Sequence, residues 1–94
     1  MVDEPRRVLV VDDDADVALF VKTILERRAQ CVVETASDGV AGVAAVATFH
    51  PDAVVTDIEM PGLSGLDLIA AIRADRPWLP VVVMTAHVSV DYAV

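Results

Sequence analysis

The sequence has 94 residues, a length that allows one domain at most. Its hydrophobic fraction of 55% is enough for a folded core, yet no apolar run approaches the roughly 20 residues of a membrane span. The formal net charge of −8 argues against direct nucleic-acid binding, which needs a basic face, and favours a divalent cation or a basic protein surface. Because the short polar N-terminus has no apolar signal segment, we expect a soluble cytoplasmic protein.

The first half of the chain predicts a strand, a helix and a second strand. Residues 8–11 form a continuous apolar run, which is typical of a strand buried on both faces. From Asp16 onward, apolar residues recur at helical spacing: Val17, Phe20, Val21, Ile24 and Leu25. Residues 31–36 read as a more polar strand that belongs near a sheet edge. The turn at 37–39 then offers a helix N-cap.

The second half repeats this alternation. A small-residue helix from Val40 is stopped by residues 50–52, and residues 53–56 predict a third strand. A flexible loop at 62–65 precedes a helix that ends near Asp75, and residues 81–84 predict a fourth, wholly apolar strand. Residues 86–94 predict the beginning of another helix. The order β-α-β-α-β-α-β calls for a parallel sheet with helices on both faces.

Acidic residues and one hydroxyl stand where the predicted strands end. Asp12 and Asp13 follow the first strand, Asp57 follows the third and Thr85 the fourth. Because parallel strands all point the same way, these side chains are expected to converge at one edge of the sheet. Three clustered carboxylates repel one another unless a cation intervenes, and hard oxygen ligands suit Mg²⁺. The pattern therefore predicts a magnesium site with Asp57 as nucleophile and Thr85 as a hydrogen-bond donor to a phosphoryl group.

These motifs together resemble the receiver domain of two-component response regulators, over the whole chain. Residues 8–14 (VLVVDDD) are similar to the family's first strand and acidic pair, and residues 57–62 (DIEMPG), with Gly65, resemble its phosphoacceptor loop. Residues 83–86 (VMTA) resemble its hydroxyl position. The resemblance implies a flavodoxin-like, doubly wound α/β sheet with strand order 2-1-3-4-5.

The resemblance also implies what the site does. Asp57 would accept a phosphoryl group from a phosphohistidine on a sensor histidine kinase. Mg²⁺ would be held by Asp13 and Asp57, by Asp12 partly through water, and by the backbone carbonyl of Glu59. Thr85 would turn toward the phosphate and carry the switch. The protein would be a signalling phosphoprotein with self-phosphorylation and self-dephosphorylation at most, rather than an enzyme.

One departure concerns the C-terminal part of the family pattern. Receiver domains carry a lysine at the end of a fifth strand, whereas these 94 residues stop before that strand. Lys22, the one lysine present, lies in the first predicted helix and does not replace it. We therefore expect residues 1–94 to be a receiver domain that is incomplete at its C-terminus, with any output domain in the sequence that follows. We expect such a chain to pair through its fourth strand, as a homodimer or by an exchanged C-terminal segment.

Two alternative functions stay open at this point. A degenerate or truncated receiver would act only as a protein-interaction module, without accepting phosphate. An aspartyl-phosphate hydrolase of the haloacid dehalogenase kind is a further alternative, because Asp57 and Glu59 superficially resemble that family's paired acids. Met60 and Pro61 replace the small and hydroxyl residues expected there, and the acidic pair after the first strand has no place in it.

Overall fold

The structure, a computed structural model, describes residues 4–84. Thr85 and the predicted helix start at 86–94 lie outside the described residues. Seven elements alternate along the described chain: β1 (Arg7–Val11), α1 (Ala15–Arg28), β2 (Val32–Ala36), α2 (Gly39–Phe49), β3 (Ala53–Asp57), α3 (Gly65–Asp75) and β4 (Val81–Met84). The predicted order of elements is confirmed, and the element bounds differ from the predicted ones by at most two residues.

The four strands form one parallel sheet in the order β2-β1-β3-β4. This confirms the predicted doubly wound α/β architecture over the described strands. The two central strands, β1 and β3, are the most deeply buried, and Leu9 and Val10 of β1 are completely buried. The more polar β2 lies at an edge, as its composition predicted. Such an arrangement fits the rule that strands buried on both faces read as continuous apolar runs.

Each face of the sheet carries its own part of the core. On one face, α2 packs on β1 and β2 and against α3, and the buried residues include Leu9, Val11, Val46, Val54, Leu68 and Ile72. On the other face, α1 packs on a smaller cluster built around Val8, Val10, Ala18 and Val33. Successive side chains along a strand point to opposite faces of the sheet, so each central strand contributes residues to both core clusters.

The apolar face of α1 was predicted only in part. Ala18, Val21 and Leu25 face the sheet, whereas Phe20 is 65% exposed and Ile24 is also exposed. The physical reason is the position of the helix, which contacts β1 and β2 along one narrow stripe. Phe20 and Ile24 lie beside that stripe and are exposed in the part of the chain that the structure describes.

Side-chain caps determine where each helix begins. The Asp14 side chain accepts from the backbone N–H groups of Asp16 and Val17, and Asp38 accepts from that of Ala41. Ser64 and Asp67 form a reciprocal capping box at the start of α3. These caps satisfy helix N–H groups that have no partner within the helix. The turn predicted at 37–39 is thus a capping turn.

Strand β4 is the outermost strand of the described sheet and remains partly uncovered. Val82 is 55% exposed and Val83 is also exposed, so apolar surface lies at this edge of the described part of the chain. None of the described helices combines the length and apolarity needed to cross a membrane.

Candidate functional site

The sheet register brings the ends of β1 and β3 together. Val11 pairs with Thr56, so Asp12 and Asp57 follow directly from neighbouring positions on adjacent parallel strands. Asp12, Asp13 and Asp57 each offer one carboxylate oxygen, and these three oxygens lie within 4.8 Å of one another. The structure thus places the three predicted acids at a single point on the carboxyl edge of the sheet, where open α/β folds bind ligands.

The three acids differ in their exposure. Asp12 is only 4% exposed, Asp57 is half-buried and Asp13 is exposed to solvent. The Oδ1 atom of Asp12 accepts the backbone N–H of Asp14 at 2.9 Å, which anchors the buried carboxylate. One buried, one half-buried and one exposed carboxylate make a cluster that is anchored on its inner side and open to solvent on its outer side.

Burial raises the pKa of Asp12 above its ordinary value, and this effect is the largest one on that carboxyl. The hydrogen bond from the Asp14 backbone lowers the pKa in turn, and the negative charges of Asp57, Asp13 and Asp14 raise it again. The net effect is a carboxylate whose ionised form is disfavoured in the folded chain. A cation beside Asp12 would relieve both the repulsion and the loss of hydration.

The donor chemistry of this cluster fits Mg²⁺. Carboxylates are the hard oxygen ligands that Mg²⁺ takes, and Mg²⁺ usually keeps several waters, for which the exposed side of the cluster leaves room. Oxygens on opposite sides of one Mg²⁺ are separated by about 4.2 Å, twice the usual bond length. The three carboxylate oxygens lie within 4.8 Å of one another, slightly more than this separation, so they would have to draw a little closer to contact one ion.

The backbone around Asp57 is held from several directions. The N–H of Ile58 donates to the carbonyl of Met84 on β4, at 3.3 Å, and the N–H of Glu59 donates to Oδ1 of Asp57, also at 3.3 Å. The N–H of Gly65 returns to the carbonyl of Ile58 at 3.1 Å. The loop between β3 and α3 is therefore closed on itself at the point where Asp57 leaves the strand.

Gly62 and Gly65 serve this loop in different ways. Gly62 has a φ of 76°, the left-handed region in which glycine carries no steric penalty. Gly65 has an ordinary φ, but a Cβ there would lie 2.8 Å from the Cα of Ile58 and closer still to the carbonyl oxygen of Asp57. Only glycine lets the start of α3 approach the backbone of Asp57 and Ile58 so closely. Sequence reasoning identified Gly65 as part of a motif without finding this contact.

Thr56 is a second residue that sequence reasoning missed. It is completely buried, and its hydroxyl donates to the backbone carbonyl of Asp57 at 3.0 Å. The signal that would have found it is a polar residue at the end of an otherwise apolar strand, directly before the acid.

The roles of all five predicted site residues stay predictions, including those of Glu59 and Thr85, which lie apart from the acidic cluster or outside the described residues. The structure shows Glu59 exposed, with its N–H directed to Asp57, and the role of its carbonyl as a metal ligand is not tested by these contacts. Thr85 lies outside the described residues, directly after the end of β4.

Comparisons with known proteins agree with this geometry. The family model "Response regulator receiver domain" matches residues 8–94. The probable transcriptional regulatory protein TcrX of Mycobacterium tuberculosis is 40% identical over 88 residues, which cover 94% of this chain and 37% of TcrX. The DNA-binding transcriptional regulator NtrC of Salmonella typhimurium is 41% identical over 90 residues, which cover 93% of this chain and 18% of NtrC.

A solved structure extends the comparison to the fold. A response regulator receiver protein from Pseudomonas putida superposes with a TM-score of 0.84 at 30% identity, covering 98% of this chain and 77% of that one. The flavodoxin-like fold expected from the motifs is thereby confirmed. The chain spans about a third or less of the length of the two curated relatives above.

Proposed function

The chain belongs to the response regulator receiver domain family, and from this premise we propose that Asp57 is its phosphoacceptor in a two-component signalling system. The observation that carries the proposal is the meeting of Asp12, Asp13 and Asp57 within 4.8 Å, with Asp57 at the end of a central strand. The donor would be a phosphohistidine on a sensor histidine kinase.

The transfer itself needs little covalent machinery. A carboxylate oxygen of Asp57 attacks phosphorus, an O–P bond forms, and the P–N bond to the imidazole of the donor breaks. The departing imidazole keeps the electron pair and takes up a proton. We propose that Asp12, Asp13, Asp57 and the carbonyl of Glu59 would hold Mg²⁺, which would supply positive charge between the acids and the incoming phosphoryl group.

The residues around Asp57 orient it for this attack. The Glu59 N–H donates to Oδ1 of Asp57, while β4 and Gly65 hold the peptide that follows. After transfer, the phosphoryl group adds nearly two negative charges and three acceptor oxygens at the sheet edge. We propose that the Thr85 hydroxyl donates to one of these oxygens, which would move the chain beyond β4 and change the adjacent surface.

The relatives indicate what such a switch acts on. TcrX and NtrC are regulators of transcription, and both are much longer than this chain. We propose that phosphorylation of Asp57 controls an output domain joined to residues 1–94, and that the receiver turns over no substrate beyond its own phosphoryl group.

Stoichiometric labelling tests the proposal. The chain is incubated with Mg²⁺ and a small acyl phosphate donor, and its intact mass is compared with that of Asp57→Asn. We expect one phosphoryl group per chain, lost in Asp57→Asn and retained in Asp75→Asn, an exposed acid at the end of α3. Equal labelling of Asp57→Asn would refute the assignment. Catalytic turnover of a phosphomonoester would favour a hydrolase, and partner binding without labelling would favour an interaction module.

A further inference from the structure

Thr56 is the one completely buried residue with a polar side chain among those that the structure describes. It lies on the central strand β3, immediately before Asp57, on a strand otherwise made of alanine and valine up to the acid. A hydroxyl buried at such a place costs free energy unless it is hydrogen-bonded. Its bond is the one to the Asp57 carbonyl, at 3.0 Å.

That bond acts on the peptide unit between Asp57 and Ile58. The carbonyl of this unit accepts from the Thr56 hydroxyl, and its N–H donates to Met84 of β4. The same carbonyl lies against the backbone of Gly65, where no Cβ fits. Hydrogen bonds therefore fix both the carbonyl and the N–H of this peptide unit. The orientation of the unit determines the direction of the backbone after Ile58.

Both groups expected to bind Mg²⁺ in this segment depend on the plane. The Asp57 side chain branches from the Cα that precedes it, and the Glu59 carbonyl follows one residue beyond it. A rotation of this plane would move the two ligands relative to each other and to Asp12. Groups that orient metal ligands without touching the metal typically change its affinity by about 10- to 100-fold when removed.

We infer that Thr56 is a positioning residue, whose hydroxyl fixes the Asp57–Ile58 peptide so that the Asp57 carboxylate and the Glu59 carbonyl meet one Mg²⁺. This inference rests on the proposed function, because it assumes that the acidic cluster binds Mg²⁺. The alternative is that Thr56 only fills space in the core, and that its hydrogen bond to the Asp57 carbonyl has no effect on the metal ligands.

Four variants separate these roles. Thr56→Val keeps the branched shape and removes the donor, and Thr56→Ser keeps the donor and removes the methyl group. Thr23→Val is the matched control, because the Thr23 hydroxyl also donates to a backbone carbonyl, that of Leu19 at 2.8 Å, within α1. Thr56→Ala, which also lacks the hydroxyl, repeats the test should valine pack poorly.

Mg²⁺ affinity is measured by isothermal titration calorimetry at a temperature where circular dichroism shows every variant folded. We expect Thr56→Val and Thr56→Ala to bind Mg²⁺ about tenfold more weakly than the parent chain, with Thr56→Ser restoring most of the affinity and Thr23→Val unchanged. Reduced stability with unchanged Mg²⁺ affinity in Thr56→Val would overturn the inference and leave Thr56 as a packing residue. Absence of Mg²⁺ binding by the parent chain would instead overturn the metal site of the proposed function.

Discussion

Replacing Gly65 by alanine should destabilise the chain, although intrinsic helix propensity predicts the opposite. Gly65 is the first residue of α3, and alanine is favoured over glycine in helices by about 1 kcal/mol. The added Cβ, however, would lie 2.8 Å from the Cα of Ile58 and 3.0 Å from the carbonyl carbon of Asp57. Ordinary contacts to a Cβ begin at 3.4 Å, and the carbonyl oxygen of Asp57 would lie closer to it than either carbon, so the two backbone segments must separate by more than about half an ångström.

The neighbours of that Cβ are backbone atoms of the strand and loop that carry Asp57, and they cannot turn aside as a side chain would. Overpacking typically costs about 1–3 kcal/mol, and we expect Gly65→Ala to lie at or above the upper end of this range. For 94 residues, a total stability of about 5–14 kcal/mol is usual, so such a loss is readily measured.

Urea denaturation followed by circular dichroism measures the free energy of unfolding. Gly62→Ala is the matched control within the same loop, because a Cβ there meets nothing within 4 Å and only the φ of 76° opposes it. We expect that control to lose about 1–2 kcal/mol. A Gly65→Ala chain as stable as the parent would show that the start of α3 does not approach the Asp57 backbone this closely.

Three further predictions concern charge and the opposite edge of the sheet. Without Mg²⁺, Asp12→Asn should melt at a higher temperature than the parent chain near pH 7, and the rise in melting temperature that added Mg²⁺ gives the parent should be lost in the variant. The folded state raises the pKa of Asp12 above 3.8. The Asp12 carboxyl therefore does not destabilise the fold below that pH, and its destabilising effect grows as the pH rises through the folded-state pKa. The difference in unfolding free energy between Asp12→Asn and the parent should accordingly shrink in acid. Arg7→Ala should lower the free energy of unfolding, measured by urea denaturation, by about 1–2 kcal/mol. The reason is that the Arg7 guanidinium lies 4.2 Å from the ring centre of Phe49 and donates to the Phe49 carbonyl at 2.9 Å. A loss below about 0.5 kcal/mol would show that these contacts contribute little.

Apolar patterning was sufficient to predict the sheet. The runs at 8–11 and 81–84 lie in strands whose bounds the structure gives as Arg7–Val11 and Val81–Met84. Turn chemistry also predicted helix starts, since Asp38 caps α2 at the turn expected there. Both signals are local, because a strand or a cap is recorded in a few consecutive residues.

Contacts between distant segments were harder to predict. Nothing near Phe20 in the chain reveals that α1 contacts β1 and β2 through Ala18, Val21 and Leu25, with Phe20 exposed among the described residues. The approach of Gly65 to the Asp57 backbone likewise depends on how α3 docks after the loop closes. A glycine in a sequence indicates either an unusual backbone conformation or a close backbone contact, but it does not identify the contacting segment. Tertiary packing decides these cases, and one sequence records it only indirectly.

The apolar core, rather than the acids themselves, keeps the carboxylates together. Asp12, Asp13 and Asp57 repel one another, and burial adds a further cost at Asp12, so this cluster would separate if the strands were free to slide. Sliding is prevented because Leu9 pairs with Val54, and both are completely buried. A shift of one residue would turn every side chain of β3 to the other face and bring its polar end into the core. The register that buries the valines is therefore the same register that places Asp57 beside Asp12, and the repulsion is maintained at a site where a cation can relieve it.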